Sequence, residues 1–306
     1  MRRIAMWLFV GWLPAAAWGW NSERLGIPMR VDDETVPFSQ FAIYVMPGAS
    51  FKVSFTDASG GSLRFQGQRF AIDGSPIQAP VEPGSYRLEV ANADGVDIAT
   101  LHVFVMVPAA DVNSSGYLNG YRLGDYPEQP LNGLAIYEQP KGFVEVNPDN
   151  LTTRISPNFT LGQFVSKQAQ DFPKYVVLRP SLLLKLEDIL ATLNSSGRPT
   201  ESLTVMSGYR TPWYNRAIGN VPYSRHVWGD ACDFYIDENP ADGVMDDMDG
   251  DGRTTRNDAR WLADFIDNMS QQGLLGNRIG GVGVYGSTTA HGPFVHVDVR
   301  GHRARW

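Results

Sequence analysis

Between about residues 36 and 107, apolar and polar positions alternate with the two-residue period of β-structure. Phe41–Met46, Phe51–Phe55, Tyr86–Val90 and Leu101–Val107 are rich in aromatic and β-branched residues. Turn clusters separate them: Pro47-Gly48, Ser59-Gly60-Gly61, Asp73-Gly74 and Glu82-Pro83-Gly84. Short strands at this spacing predict a small all-β, antiparallel sandwich of immunoglobulin-like type over residues 20–108. Its His102 lies in an apolar strand and reads as a satisfied core or surface side chain. Residues 109–150 are rich in Gly, Pro, Asn and Tyr and read as an ordered connector, partly wrapped on the second domain.

From about residue 150 the pattern becomes mixed. Leu182, Leu186, Ile189, Leu190 and Leu193 recur at helical spacing after Pro180, which suits a first helical turn. Leu203–Met206 reads as a short strand, Thr211-Pro212 opens a short helix ending near Gly219, and Trp261, Leu262, Phe265, Ile266 and Met269 mark an amphipathic helix. In Phe294–Val299 the alternation sends Val295, Val297 and Val299 to the core and puts Phe294, His296 and Asp298 on the opposite face. The prediction is an α+β domain with an antiparallel sheet over residues 151–306.

The first nineteen residues stand apart. Arg2 and Arg3 precede the apolar run Ile4–Trp12 and the small-residue stretch Ala15–Gly19, the pattern of a secretory signal. The run is shorter than the ~20 residues a membrane span needs. The expectation is export to the periplasm without stable membrane insertion. Without Arg2 and Arg3, the 26 basic residues become 24 against 33 acidic ones, a balance of −9. Such a chain suits neither nucleic acid nor anionic membranes as a main partner. Cys232 is the one cysteine, so no internal disulfide forms; between Ala231 and Asp233 on a strand it reads as a buried thiol.

Three segments carry chemistry: Ser207-Gly208-Tyr209-Arg210, the string S-x-H-x-x-G-x-A-x-D over Ser224–Asp233, and His296-Val297-Asp298. His226 and Asp233 offer an imidazole and a carboxylate that can converge on a cation, and His296 can complete the set. Two nitrogens, one carboxylate oxygen and an open position make a hydrolytic zinc site. Gly229 permits a sharp bend, Ala231 leaves room beside Asp233, and Asp298 can orient a ligand.

These segments resemble the zinc D-Ala-D-Ala carboxypeptidase family of peptidoglycan peptidases, over about residues 150–306. The resemblance implies His226, Asp233 and His296 as zinc ligands, Arg210 as the partner of a substrate carboxylate or carbonyl, and Ser224 as a further substrate contact. Several members carry an acidic residue three positions before the last histidine; here that position is Pro293. His291 matches an active-site histidine of the carboxypeptidase branch and Asp298 is the other candidate base.

A second metal motif lies within an insertion at 246–258. Asp247, Asp249, Asp251, Arg253 (through its carbonyl), Thr255 and Asp258 take the ligand positions of a calcium loop, with Gly252 at the sixth position. The whole reads as an exported zinc peptidase acting on peptidoglycan peptides and braced by structural Ca2+. The alternative is a catalytically silent, zinc-containing wall-binding protein. In either case the sandwich is a candidate docking module for another envelope protein.

Overall fold

The computed structural model describes residues 20–57 and 60–306. The signal expected over residues 1–19 lies outside the described residues. The chain is a mixed α/β structure, built mostly of β-sheet with few helices.

Alternation builds the N-terminal part. In Ser50–Phe55, Phe51, Val53 and Phe55 are buried while Ser50 and Lys52 face out. A four-stranded sheet takes the order Glu34–Phe38, Arg24–Val31, Ser50–Phe55, Asp73–Gln78. A five-stranded sheet takes the order Gln40–Val45, Asp97–Val105, Gly84–Ala91, Ser62–Phe65, Gln68–Ala71. Its first pair is parallel and the rest antiparallel. The two sheets meet through side chains such as Phe51 and Phe65, whose rings are 5.8 Å apart and edge-on. Pairing also claims Arg24–Val31, Glu34–Phe38 and Asp73–Gln78, which the pattern of strand-forming residues did not single out. Their hydrophobic content is diluted by Arg, Pro and Gly. His102 is half-buried with its ring 3.2 Å from Gln40 Nε2.

The segment after residue 108 is ordered by contacts with distant chain. Trp228 Nε1 donates to Glu138 O at 2.9 Å, Arg225 Nη2 to Ile136 O at 3.2 Å, and Tyr223 Oη to Gln129 O at 3.0 Å. Tyr126, Tyr137 and Tyr223 all pack on Trp228.

The helix Pro180–Ser195 starts at proline, whose missing N–H is no loss in a first turn. It buries Leu182, Leu186, Ile189, Leu190 and Leu193 as the spacing required. A second five-stranded sheet comes next, in the order Thr204–Ser207, Ala231–Tyr235, Phe294–Asp298, Gly281–Tyr285, Ala304–Arg305. Only its last pair is parallel. The amphipathic helix Arg256–Gln271 packs on two of its strands, burying Leu262, Ile266 and Met269. Both faces of Phe294–Asp298 are buried, so the expected division into core and open faces becomes one between apolar core and buried polar site. Among the described residues no helix is long and apolar enough to cross a membrane.

One buried carboxyl sets a pH dependence. Glu187, on the Pro180–Ser195 helix, accepts from Ser156 Oγ (2.7 Å), Asn158 N (2.8 Å) and Asn158 Nδ2 (2.7 Å). Burial nevertheless pushes its pKa up to about 7. Between its usual value and about 7 the folded chain holds a proton that the unfolded chain has released. Stability therefore falls as pH rises through that window, by up to about 3 kcal/mol. Glu187→Gln removes this contribution, so urea unfolding at pH 5 and pH 7.5 should show a smaller pH difference in the variant. An unchanged difference would refute the assignment.

Candidate metal centre

His226 follows Ser224 in a short 3-10 turn, Arg225–Trp228, that closes on Gly229 in the left-handed conformation (φ 66°). The chain then enters Ala231–Tyr235, where Asp233 pairs across the sheet with His296. Register thus brings the carboxylate and the second imidazole together, and the preceding turn folds His226 over them. The three groups are buried, with His296 keeping the largest exposure, 6%.

The three donor atoms face one another. His226 Nε2 is 3.0 Å from Asp233 Oδ1, His296 Nδ1 is 2.8 Å from the same oxygen, and the two nitrogens are 3.2 Å apart. Ligands ~2.0–2.2 Å from a shared tetrahedral ion stand roughly 3.3 Å apart, so the triangle has the right size. The far side of each ring fixes where its proton sits. His226 Nδ1–H donates to Gly208 O at 2.7 Å. His296 Nε2–H donates to Asp298 Oδ2 at 3.2 Å. Each ring then turns a lone pair toward Asp233 Oδ1. Two lone pairs and a carboxylate oxygen in mutual contact repel unless a cation or a proton lies among them, so the donor set fits zinc. Among the described residues this trio is one of two groups able to hold a metal.

The three groups are coupled electrostatically. Burial lowers the pKa of His226, outweighing Asp233. Burial also opposes charge on His296, but hydrogen bonds and charge from Asp233 and Asp298 raise it. Burial by itself would raise Asp233, yet the two imidazoles hold it well below the carboxylate range.

Arg210 stands beside the trio. Its Nη2 donates to Asp233 Oδ2 and its Nε to Ser207 Oγ at 2.8 Å. The fork therefore fixes the carboxylate of the site, and Nη1 alone is left without a hydrogen-bond partner among the described residues. Asp298 sits behind His296, fully buried. Gly281 N donates to its Oδ1 at 2.8 Å, and Arg300 reaches both oxygens from Nε at 2.9 Å. The oxygens of Asp298 meet the ring edge of His296 opposite the donor nitrogen. From that side Asp298 orients the ring. His291 is half-buried, with Nδ1 donating to Gly292 O at 2.8 Å and its ring edge-on to Phe294. None of its hydrogen bonds reaches the trio. Ser224 is half-buried and its hydroxyl makes no hydrogen bond among the described residues. Cys232 is buried.

Several supporting groups carry no sequence signal. Lys185, from the Pro180–Ser195 helix, donates to Asp298 O at 2.8 Å although almost fully buried. Burial lowers its pKa to about 8. Trp306 packs beside His296, ring centroids 5.2 Å apart, in space left by Gly281 and Gly283. Lys185 reads as one residue of an ordinary helix, and nothing local announces its partner.

In the acidic insertion, carboxylate oxygens of Asp247, Asp249 and Asp258 gather within 4.8 Å. Asp258 is buried, accepting from Met248 N and Asp249 N through Oδ1 and from Thr255 N through Oδ2, while Thr255 caps the following helix. Asp251 accepts from Arg253 N at 2.8 Å.

The Peptidase M15 family matches residues 157–248. This is the zinc D-Ala-D-Ala carboxypeptidase type that the motifs resemble, and it lies in the C-terminal half. The match takes in Arg210, Ser224, His226 and Asp233 and stops short of His296. No curated protein matches the chain.

Proposed function

We propose that this chain is an exported zinc-dependent peptidase that hydrolyses peptide bonds in peptidoglycan. The meeting of His226 Nε2, His296 Nδ1 and Asp233 Oδ1 within 3.2 Å, with both ring protons turned away, carries the reading. Zinc held there supplies Lewis-acid polarisation of a carbonyl and a nucleophile from water at neutral pH. Gly208 O and Asp298 hold the two rings in the ligating tautomer. Arg210 positions Asp233 and presents Nη1 to a substrate oxygen, and Ser224 offers its hydroxyl as a further substrate contact. His291, with Nδ1–H held by Gly292 O, keeps Nε2 free to accept and pass on a proton. Incubating purified protein with peptidoglycan and resolving the muropeptides tests the reading. New products that need zinc are expected, and their absence with zinc loaded rejects it.

The silent binder is the second reading. Pro293 in the acidic position and a His291 that makes no hydrogen bond to the trio favour it. Zinc content measured alongside turnover separates the two, since metal without products supports the binder.

Asp298→Asn is expected to weaken zinc affinity about 10–100-fold, because the amide no longer fixes the tautomer of His296 as a carboxylate does. Competition with a chromogenic chelator measures it, and unaltered affinity refutes the orienting role.

The rest of the chain serves the same activity. Residues 1–19 direct export, and the two N-terminal sheets form an immunoglobulin-like sandwich over 20–108 that docks to wall or to another envelope protein. The connector spans 109–150 and the peptidase domain 151–306. Ca2+ in the 247–258 loop braces the insertion through Asp247, Asp249, Asp251, Arg253 O, Thr255 and Asp258. Added calcium should then raise the thermal midpoint, and an identical midpoint in chelator removes calcium from the account.

A further inference from the structure

His296 has two neighbours across the sheet. On one side it pairs with Asp233, on the other with Gly283. Gly283 has no side chain, and the indole of Trp306 takes that place, its ring centroid 5.2 Å from that of His296. The fit is close. A Cβ at Gly283 would lie 2.5 Å from Trp306 Nε1 and 2.6 Å from Cε2, and one at Gly281 would lie 2.8 Å from Cη2. Gly283 is not among the glycines with positive φ, so its backbone does not demand glycine, whereas the indole beside it does.

The indole is held in this slot from several sides. Val284 N donates to Trp306 O at 2.9 Å, and Ala304–Arg305 pairs in parallel with Gly281–Tyr285. Arg303 and Arg305 both bind Asp267 on the Arg256–Gln271 helix. Trp306 Nε1 donates to Tyr285 Oη at 2.7 Å. Yet Trp306 is 45% exposed, so burial of apolar surface is not its main contribution. Its other neighbour is Arg300, whose Cζ lies 5.3 Å from the ring centroid while its Nε reaches both oxygens of Asp298 at 2.9 Å. Trp306 therefore touches the ring of His296 and also the cation that holds Asp298 behind that ring. The bond from His296 Nε2 to Asp298 is 3.2 Å, at the long end for its kind, and does not fix the tilt of the ring by itself.

We propose that Trp306 is a positioning residue of the metal centre. Its indole fixes the tilt of His296, so that Nδ1 stays aimed at the ion, and it keeps Arg300 on Asp298. The inference rests on the zinc reading of the trio and gives Trp306 no contact with substrate.

The test uses full-length protein. Competition with a chromogenic chelator reads zinc affinity, and the absorption spectrum of cobalt-loaded protein reads the geometry at the ion. Trp306→Ala should weaken zinc about tenfold or more and alter the cobalt spectrum. Trp306→Phe keeps a ring against His296 and beside Arg300 and loses only the bond to Tyr285; it should recover most of the affinity and the wild-type spectrum. Gly283→Ala displaces the indole without changing it and should weaken zinc as well. Gly283→Ala/Trp306→Ala should bind zinc no more weakly than Trp306→Ala, because the added methyl then has no indole to displace. A lower thermal midpoint of metal-free Trp306→Ala, with zinc affinity and cobalt spectrum unchanged, would mean that Trp306 merely supports the fold and would overturn the proposal. Losses that simply add in the double variant would overturn it too. Zinc binding that depends on Trp306, in protein that releases no muropeptides, would support the positioning role and sink the peptidase reading. Zinc-dependent hydrolysis with an affinity indifferent to Trp306 would do the reverse.

Discussion

His226→Ala is expected to lower release of muropeptides roughly a thousandfold and to bring zinc content well below one ion per chain, with the fold retained. A thousandfold corresponds to about 4 kcal/mol of transition-state stabilisation. The size follows from the site. Only three protein donors converge, and removing one leaves two, too few to compete with a chelator for an ion that prefers four ligands. The substitution also strands Gly208 O, which accepts the proton of His226 Nδ1 in a buried position. That orphan lowers stability by about 1–3 kcal/mol, within what a chain of this size tolerates. A chelator applied to wild type should reproduce the loss, and added zinc should restore wild type but not the variant. Activity that survives both treatments would mean that the trio is not the catalytic centre. Circular dichroism on the variant separates loss of metal from loss of fold.

The trio was legible because each member sits where a local rule speaks. Alternation along Phe294–Val299 put His296 and Asp298 on one face, and the spacing in Ser224–Asp233 put a turn before a strand. What joins them, the pairing of Asp233 with His296 across the sheet, then needed only the correct register. The buried thiol of Cys232 follows from the same alternation. Arg210 was legible as a member of the site, but its contact with Asp233 was not. A guanidinium beside a buried carboxylate and one beside a substrate carboxylate look alike in a linear string, and only the fold shows Asp233 Oδ2 within its reach. Lys185, Arg300 and Trp306 were invisible for a similar reason. Each acts through a contact with chain distant in sequence or through space left by glycines. The weak strands at Arg24–Val31 and Asp73–Gln78 owe their form to neighbours in the sheet rather than to their own composition.

Gly229→Ala should be the most damaging single methyl in the molecule's motif, with a loss of stability of at least about 4 kcal/mol. Two independent effects add. The residue holds φ at 66°, a conformation that costs an L-residue roughly 1–2 kcal/mol. A Cβ there would lie 2.1 Å from Val177 O and 2.4 Å from Val177 C. Those are backbone atoms, so no rotamer change relieves the clash. The backbone at Val177 and Leu178, just past the strand Lys174–Val176, must move, and Arg179 N, which donates to Gly229 O at 2.9 Å, must move with it. Gly243→Ala supplies the control: its φ of 86° carries similar strain, but nothing lies within 4 Å of its Cβ. The control should lose only about 1–2 kcal/mol. Urea denaturation of both variants measures the difference, and equal losses would show that close approach to Val177 is not what demands glycine. Because His226 lies three residues before this bend and Asp233 four after it, whatever Gly229→Ala protein remains folded should also hold zinc more weakly than the Gly243→Ala control.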